Sequence, residues 1–178
     1  MSYNHPPSAL YSNTTIPALA PPLIEEQTLG VWLVHFAGGT LWDRVGQILY
    51  ILNRRVLTLS FFTRKVGNPP GIITFTIRRV SDDSILASKL YGNANDVPAI
   101  PGWITVTFDT PIDLNERVRI LMEWTGPPGD ASNYLEFWGT LTDVKPNEFV
   151  TRWYDLHGYY TNTPAWDAKY RYTYYPLA

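Results

Sequence analysis

Cysteine is absent from the 178 residues of this chain. Its absence excludes disulfides, thiolate catalysis and zinc sites built on sulfur ligands. It also leaves the redox compartment undetermined, because no thiol is present to report on it. A chain of this length can bury a substantial core, and outside a cell it would depend on that core alone for its stability.

Charge is scarce as well. Charged residues make up 17% of the sequence and the formal net charge is −2, whereas an average globular protein is about 25% charged. Low charge combined with 15% aromatic residues argues against disorder. Because the chain has no basic stripe, its composition predicts no binding to nucleic acid.

Long apolar runs are missing too. No stretch approaches the roughly 20 residues that a membrane-spanning helix needs, so no membrane span is predicted. The N-terminal residues have no basic start and no uninterrupted apolar run, so they are not expected to form a secretory signal. These features predict either a cytoplasmic protein or one that leaves the cell without a signal, as a virion component does.

Proline is concentrated near the N-terminus, over residues 1–28, at Pro6, Pro7, Pro17, Pro21 and Pro22. Prolines this dense predict an extended arm, followed by one domain over residues 29–178. Two interpretations stay open: the arm packs along its own domain, or it reaches across a neighbouring subunit. The residues predicted to make arm contacts are Pro21, Pro22, Leu23 and Ile24.

From residue 29 onward, apolar and polar residues alternate, as they do in strands with one buried face. The run GIITFTIRRV places Ile73, Phe75 and Ile77 on one face, and RVLTLSFF places Leu57 with Leu59 and Phe61. Clusters of Gly, Pro, Asn and Asp separate such runs and are typical of hairpin turns. The pattern predicts an all-β fold, a two-sheet antiparallel sandwich of roughly eight strands or slightly more.

Two segments leave alternatives open. Residues 40–52 could form an amphipathic helix, but Gly46, the β-branched residues and Asn53 favour a strand. In AWDAKYRYTYY, the tyrosines Tyr170, Tyr172 and Tyr174 share one face. A core-facing strand is the favoured interpretation, since each aromatic buries about 150–250 Å². The alternative is a stacking platform for sugar rings or for another subunit.

Four segments carry a resemblance to a known family: LTLSFFTRKVGNPPGIITFTIRRVSDDSILASK, GWITVTFDTPIDLNERVRILMEW, GDASNYLEFWG and WDAKYRYTY. With a KVG-P-G turn, a strand ending TF-TP and an Asp before the last strand, here Asp167, they resemble a jelly-roll module. This module is widespread in cell-surface, secreted and phage proteins, and the match covers roughly residues 45–175. The resemblance implies a jelly-roll sandwich and no shared catalytic residues, because members include sugar-binding modules and structural virion parts.

Catalytic motifs are poorly represented in the sequence. It has no G-x-S-x-G, H-E-x-x-H or P-loop pattern. Asp155 and His157 are close in the chain, but no nucleophile can be identified that would complete a catalytic triad with them. Carboxylates that could pair for glycoside hydrolysis are Asp43, Asp109, Glu123, Glu136 and Asp155, and the spacing singles out no two of them. The sequence therefore predicts a protein that is not an enzyme.

No cofactor is predicted. Asp82, Asp83 and Asp130 lie in turn-forming loops that offer oxygen ligands for calcium. The favoured interpretation is that these aspartates cap β-turns by accepting backbone hydrogen bonds.

The predicted function is that of a structural subunit of a virion or other extracellular assembly, for example a capsid-decorating or tail-associated protein. The partners would be further copies of the chain or a larger protein assembly, held by contacts of the arm. The alternative is a carbohydrate-binding or adhesion module that uses exposed aromatic residues to bind a glycan. Candidate ligand or interface residues are Trp103, Trp138, Trp153 and Tyr159.

Overall fold

A computed structural model describes residues 20–36, 42–127 and 130–178, so residues 1–19 of the predicted arm lie outside the described residues. The strands are β1 (Leu23–Gln27), β2 (Trp32–Phe36), β3 (Trp42–Val66), β4 (Ile72–Arg79), β5 (Ile85–Asn93), β6 (Gly102–Thr125), β7 (Tyr134–Thr140), β8 (Phe149–Tyr154), β9 (Tyr159–Thr163), β10 (Asp167–Ala168) and β11 (Tyr170–Pro176). Two single 3₁₀ turns lie between strands, at Ala94–Asp96 and Asp155–His157.

The prediction of an all-β antiparallel fold is confirmed. Every pair of neighbouring strands runs antiparallel, and the arrangement is consistent with a β-sandwich. The jelly-roll order of the strands stays a prediction. Over the ranges given above, no helix has the length and apolar character needed to cross a membrane.

Two strands are much longer than the rest. β3 has 25 residues and β6 has 24, and they pair with each other along most of their length. The register shifts between Ile51 and Arg54, next to Asn53 with its φ of 52°. A bulge of this kind bends a strand, so the two halves of the β3–β6 pair have different neighbours.

The first half of the pair belongs to the front layer, in which the strand order is β9–β8–β3–β6–β4–β5. The predicted strand over residues 40–52 is confirmed here from Trp42 onward. Gly46 is needed in this strand because a Cβ atom there would lie 1.9 Å from the backbone oxygen of Ile120.

The second half belongs to the back layer, in which β1 pairs with β11, β11 with β3, and β3 with β6. The end of β3 also pairs with β7, which in turn pairs with β2 and β10. Residues 23–27, inside the predicted arm, therefore pair with a strand of their own domain.

The core lies between the layers. The ring of Phe61 in β3 is 5.4 Å from that of Phe75 in β4 and 5.1 Å from that of Phe137 in β7, measured between centroids. Tyr170 and Tyr172 are 0% and 1% exposed, and their nearly parallel rings are 6.3 Å apart. The prediction that the tyrosine-rich strand faces the core is confirmed.

The prediction for RVLTLSFF, which put Leu57 on the core face and Val56 on the opposite one, is wrong at these two positions. Val56 joins Leu59 and Phe61 in the core, whereas Leu57 is half-buried. The β3–β6 register shifts between Val56 and Thr58, and an irregularity of this kind moves the alternation of faces by one residue.

One carboxylate is buried completely, that of Asp167. Its Oδ2 accepts hydrogen bonds from the backbone N–H groups of Val144 (2.7 Å) and Lys145 (3.0 Å), and its Oδ1 accepts one from Gln47 Nε2 (2.5 Å). Burying a carboxylate is costly unless hydrogen bonds satisfy its oxygens. Asp167 thus anchors the loop before β8 to β10.

Candidate binding surfaces

Alternate residues of each layer point away from the core, so each layer has an outer face. We call one part of the outer face of the back layer the aromatic face; it consists of Phe62, Trp103, Trp138, Lys169 and Arg171. All five of these side chains are half-buried. This surface contains two of the four residues predicted to bind a ligand or partner.

The three rings of the aromatic face come from three strands. Trp103 of β6 lies opposite Phe62 in the strand register, with ring centroids 5.4 Å apart. Trp138 of β7, on the other side of β3, lies 5.3 Å from the same phenyl ring. Both contacts are edge-to-face, a favourable arrangement for aromatic pairs. The predicted residues Trp103 and Trp138 are therefore linked through Phe62.

Phe62 is not among the residues predicted from the sequence, although a signal for it exists. Phe61 and Phe62 are consecutive residues in a strand, and consecutive side chains point to opposite faces. Because Phe61 is part of the core, Phe62 must point outward. Which rings would join it could not be read from the sequence, since they come from strands far apart in the chain.

Two cations cover the rings. The guanidinium carbon of Arg171 lies 4.6 Å from the ring centroid of Trp103, and Lys169 Nζ lies 4.3 Å from that of Phe62. These are cation–π distances. A sugar ring could therefore stack on either of these covered ring faces only by displacing a cation.

Neither cation has an ion-pair partner within 4.0 Å in the part of the chain that the structure describes. Glu26 of β1 lies opposite Arg171 in the register, yet the two form no ion pair. The side chains of Lys169 and Arg171 also donate no hydrogen bond to a described residue. Their N–H groups consequently stay available to an external acceptor.

Hydroxyl groups continue this outer face along the strands. Ser60 Oγ and Thr105 Oγ1 are 2.8 Å apart, and Thr58 Oγ1 and Thr173 Oγ1 are 2.7 Å apart. Ser60 is buried, and Thr58 Oγ1 also accepts the backbone N–H of Thr173 at 3.2 Å. Thr105 is exposed, so its hydroxyl keeps hydrogen-bonding capacity toward a ligand. The face thus combines rings, positive charge and an exposed hydroxyl, which suits a polar ligand.

The outer face of the front layer is built differently. We call its central part the arginine face; it consists of Arg44, Arg78, Arg119, Asp83, Glu123, Trp153 and Tyr160. These residues come from β3, β4, β6, β8, β9 and the turn after β4.

Carboxylates bind the cations of the arginine face. Arg78 donates two hydrogen bonds to Glu123, from Nε to Oε1 at 2.6 Å and from Nη2 to Oε2 at 3.1 Å. Arg44 Nη1 donates to Asp83 Oδ2 at 3.0 Å, and Arg119 Nη1 lies 3.9 Å from Asp83 Oδ1. Paired guanidinium–carboxylate contacts of this kind are the stronger class of hydrogen bond.

Burial changes the acid–base properties of this network. Burial lowers the pKa of Arg119, and burial together with the hydrogen bond to Asp83 raises the pKa of Tyr160 to about 12. Burial also acts to lower the pKa of Arg78, but the hydrogen bonds and charge of Glu123 outweigh it, so that pKa is raised. The arginines stay charged, and their carboxylate partners offset the cost of burying them.

Trp153, a third predicted ligand residue, belongs to the arginine face. The guanidinium of Arg44 lies 4.6 Å from its ring centroid, and the ring of Tyr160 meets it edge-on at 4.8 Å. Tyr159, the fourth, is 53% exposed and stacks on His157 with ring centroids 5.7 Å apart. The structure therefore does not bring Trp153 and Tyr159 to the surface that holds Trp103 and Trp138.

The carboxylates considered for catalysis are divided by the fold. Three of them form ion pairs with basic side chains: Glu123 with Arg78, Glu136 with Arg64, and Asp109 with Lys89. The other two lie side by side, where burial and then the neighbouring carboxyl of Asp155 raise the pKa of Asp43 to about 6. Two adjacent carboxyl groups resist simultaneous ionisation, which favours the protonated form of Asp43.

The predicted calcium ligands lie in separate places. Asp82 accepts hydrogen bonds from the backbone N–H (3.0 Å) and hydroxyl (2.7 Å) of Ser84, and Asp130 accepts one from the backbone N–H of Ser132 (2.7 Å). Asp83 belongs to the arginine face. No set of three or more His, Cys, Asp or Glu side chains among the described residues is placed to hold a metal. That the protein binds no cofactor stays a prediction, with calcium as the alternative.

Two strand edges near each other are open. Within residues 20–36, 42–127 and 130–178, β5 pairs only with β4, and residues 102–107 of β6 pair only with β3. A groove of about 570 Å³ lies between these edges, lined by Leu90, Val106 and Phe108 among others. An ion pair between Lys89 Nζ and Asp109 Oδ1 (2.5 Å) spans it.

The opposite end of the sheet order is open as well. β1 pairs only with β11 among the described strands, and Leu23 and Ile24 are 49% and 59% exposed. Pro21 and Pro22 precede this strand and are exposed. The four residues predicted to make arm contacts thus lie along, or next to, an open edge.

A scan against models of known protein families finds no match, and a search of curated proteins finds no similar sequence.

Proposed function

We propose that this protein is a non-enzymatic structural subunit of an extracellular assembly such as a virion, joined to its neighbours through the open edges of the sandwich. The observation that carries the proposal is the presence of exposed aliphatic side chains on two of the end strands, β1 and β5. Leu23 and Ile24 lie on β1, and Ile85 and Leu90, which are 54% and 60% exposed, lie on β5.

An unpaired edge presents backbone N–H and C=O groups that can pair with another chain. Proteins that stay monomeric protect such edges with charges, proline or a covering segment. In the strand order β1–β11–β3–β6–β4–β5, these two edges stand at opposite ends, and each carries charged residues, Glu25 and Glu26 or Lys89, beside its exposed aliphatic ones. A contact between β1 of one copy and β5 of the next would be head-to-tail, and it would close into a ring or extend into a fibre.

The N-terminal arm supports the same proposal. Residues 1–19 precede an open edge, and an extended segment of that length can span about 60 Å. It can therefore reach beyond the domain to a neighbouring subunit. Few charges and many aromatic residues are also the composition of an interface core.

Light scattering and negative-stain imaging of the purified protein test the proposal. The wild-type chain should form a defined oligomer, ring or fibre. Ile24→Lys and Leu90→Lys should each shift it toward monomer, because lysine on an edge opposes pairing. Leu141→Lys, at an exposed position outside both edges, is the matched control. Deletion of residues 1–19 would then separate the contribution of the arm from that of the edges.

A wild-type protein that stays monomeric at every concentration would overturn this proposal. So would an oligomer that survives both edge substitutions and the deletion of the arm.

Carbohydrate binding is a second candidate function, favoured by the aromatic face. The fold brings Trp103 and Trp138 together on one outer surface beside hydroxyl groups. Trp103→Ala should weaken sugar binding, whereas deletion of residues 1–19 should leave it unchanged. Glycan binding with the opposite dependence would contradict this assignment.

A further inference from the structure

We infer that the aromatic face binds an acidic saccharide, whose anionic groups pair with Lys169 and Arg171. This inference rests on the carbohydrate-binding function given above as the second candidate. It adds the chemical class of the ligand and the two side chains that would select it.

The first argument is charge complementarity. Lys169 and Arg171 are two residues apart in the chain, and both contact rings of the aromatic face. Together they carry two positive charges without an ion-pair partner among the described residues, although Glu26 stands opposite Arg171. On the arginine face, by contrast, Arg78 is bound on two sides by carboxylates. An anionic ligand would supply the negative charge that Lys169 and Arg171 do not receive from the described residues.

The second argument concerns the rings. Neutral sugars stack on bare aromatic faces, but here Arg171 covers Trp103 and Lys169 covers Phe62. A cation held on a ring is restrained in position and still offers its N–H donors. The surface is therefore better suited to fix an oxyanion than to receive an uncharged ring on these covered faces.

The third argument separates a saccharide from other polyanions. Nucleic-acid affinity grows with the number of phosphates neutralised, and the aromatic face holds two cations on a chain of net charge −2. The exposed hydroxyl of Thr105, which is bonded to the buried hydroxyl of Ser60, suits the many hydroxyls of a sugar.

Calorimetric titration of the full-length protein with a matched pair of probes tests the inference. Oligogalacturonate carries a carboxylate on each sugar, and its methyl ester has the same backbone without the charge. The acid should bind at least about tenfold more tightly than the ester, since charge-assisted hydrogen bonds are the stronger class. Its affinity should fall as salt is raised.

Variants locate the site. Lys169→Gln and Arg171→Gln should each weaken oligogalacturonate binding about tenfold. Arg55→Gln is the matched control, because Arg55 lies in the same layer but is already bound by Asp113 at 2.6 and 2.8 Å. It should leave the affinity within about twofold. Circular dichroism of each variant shows whether the fold is intact.

Further probes decide between ligand classes. Dextran sulfate and neutral dextran repeat the comparison with sulfate in place of carboxylate, and show which oxyanion is preferred. Polyglutamate binding as tight as that of the acidic sugar would overturn the saccharide class.

Equal binding of acid and ester would overturn the preference for charge while leaving the carbohydrate function standing. An absence of binding to all of these saccharides, acidic and neutral, would overturn the inference, and the failure of a wider glycan screen would then overturn the second candidate function. Neither result would bear on assembly through the edges.

Discussion

Arg78 on the front layer and Arg171 on the back layer lie at comparable positions, each projecting outward from a strand of the sandwich. The first is enclosed by Glu123 and Asp83, with ion-pair distances of 2.6 and 3.3 Å. The second rests on the ring of Trp103 and has no ion-pair partner among the described residues. The same side-chain type is thus neutralised on one face and left with its charge available on the other.

The difference shows how surroundings change what a cation can do. On the arginine face, three arginines share two carboxylates, and the side chains of Arg78 and Glu123 are 11% and 14% exposed. Partners within the fold hold most of that charge, so the face stabilises the front layer. On the aromatic face the rings support the cations without neutralising them, which favours a role in binding.

The largest effect is expected from breaking the arginine face. Glu123→Gln should lower the free energy of unfolding by about 3 kcal/mol, because it leaves Arg78 and Arg44 partly buried without their shared carboxylate. Urea unfolding measures this change. Glu116→Gln, which breaks the more exposed pair with Arg79, should cost much less, because solvent screens an exposed ion pair. If both variants lost the same free energy of unfolding, burial would not explain the strength of the Arg78–Glu123 pair.

A smaller effect is expected from removing the ring that joins the aromatic face. Phe62→Ala should lower the free energy of unfolding by about 2 kcal/mol, below the about 3–5 kcal/mol typical of a fully buried phenylalanine. The substitution removes the edge-to-face packing of the phenyl ring against Trp103 and Trp138, so near-ultraviolet circular dichroism should change as well. Phe62→Leu, which keeps the bulk, should cost less, and a destabilisation equal to that of the alanine variant would contradict the packing argument.

The carboxyl pair beside the arginine face predicts a pH-dependent effect. The pKa of Asp43 is raised from 3.8 to about 6. Its contribution to stability is therefore full below about pH 4 and is lost as the pH rises through 6. Asp43→Asn should raise the free energy of unfolding at pH 7.5 by about 1 kcal/mol, a value discounted because the carboxyl stays partly solvated.

At pH 4 the same substitution should change little, since Asp43 is then largely protonated in the folded state. Unfolding by urea at the two pH values makes the comparison. A stabilisation of equal size at both would show that charge is not its cause.

The smallest effect on stability is expected at the cations of the aromatic face. Lys169→Gln and Arg171→Gln should each change the free energy of unfolding by no more than about 0.5 kcal/mol, as is usual for substitutions that leave no buried group unpaired. Thermal and urea unfolding measure this. A destabilisation near that of Glu123→Gln would show that the cations of the aromatic face stabilise the fold as strongly as those of the arginine face do.

The parts of the fold that could be predicted are those with a local cause. GIITFTIRRV places Ile73, Phe75 and Ile77 in the core as expected, because side chains in a strand alternate whatever its neighbours are. Tyr170 and Tyr172 follow the same rule. The position of Leu57 could not be predicted, since the irregularity there depends on pairing with β6.

The candidate surfaces divide in the same way. Trp103 and Trp138 could be named from the sequence as aromatic residues available for binding, but their meeting at Phe62 depends on β3 lying between β6 and β7. Trp153 is a candidate on the same grounds, and the fold places it against Arg44 instead. Residue type was enough to name the candidates, but strand pairing decided which of them lie on the same surface.

By itself, the sequence determined the class of fold and the strand segments that supply the core, because alternation and turn residues act within a few residues of the chain and composition acts over all of it. Only the tertiary structure decided which cations are neutralised. Arg78 meets Glu123 across neighbouring strands 45 residues apart in the chain, and Arg171 meets Trp103 across β3. Such contacts are set by strand order and register, which local pattern does not encode.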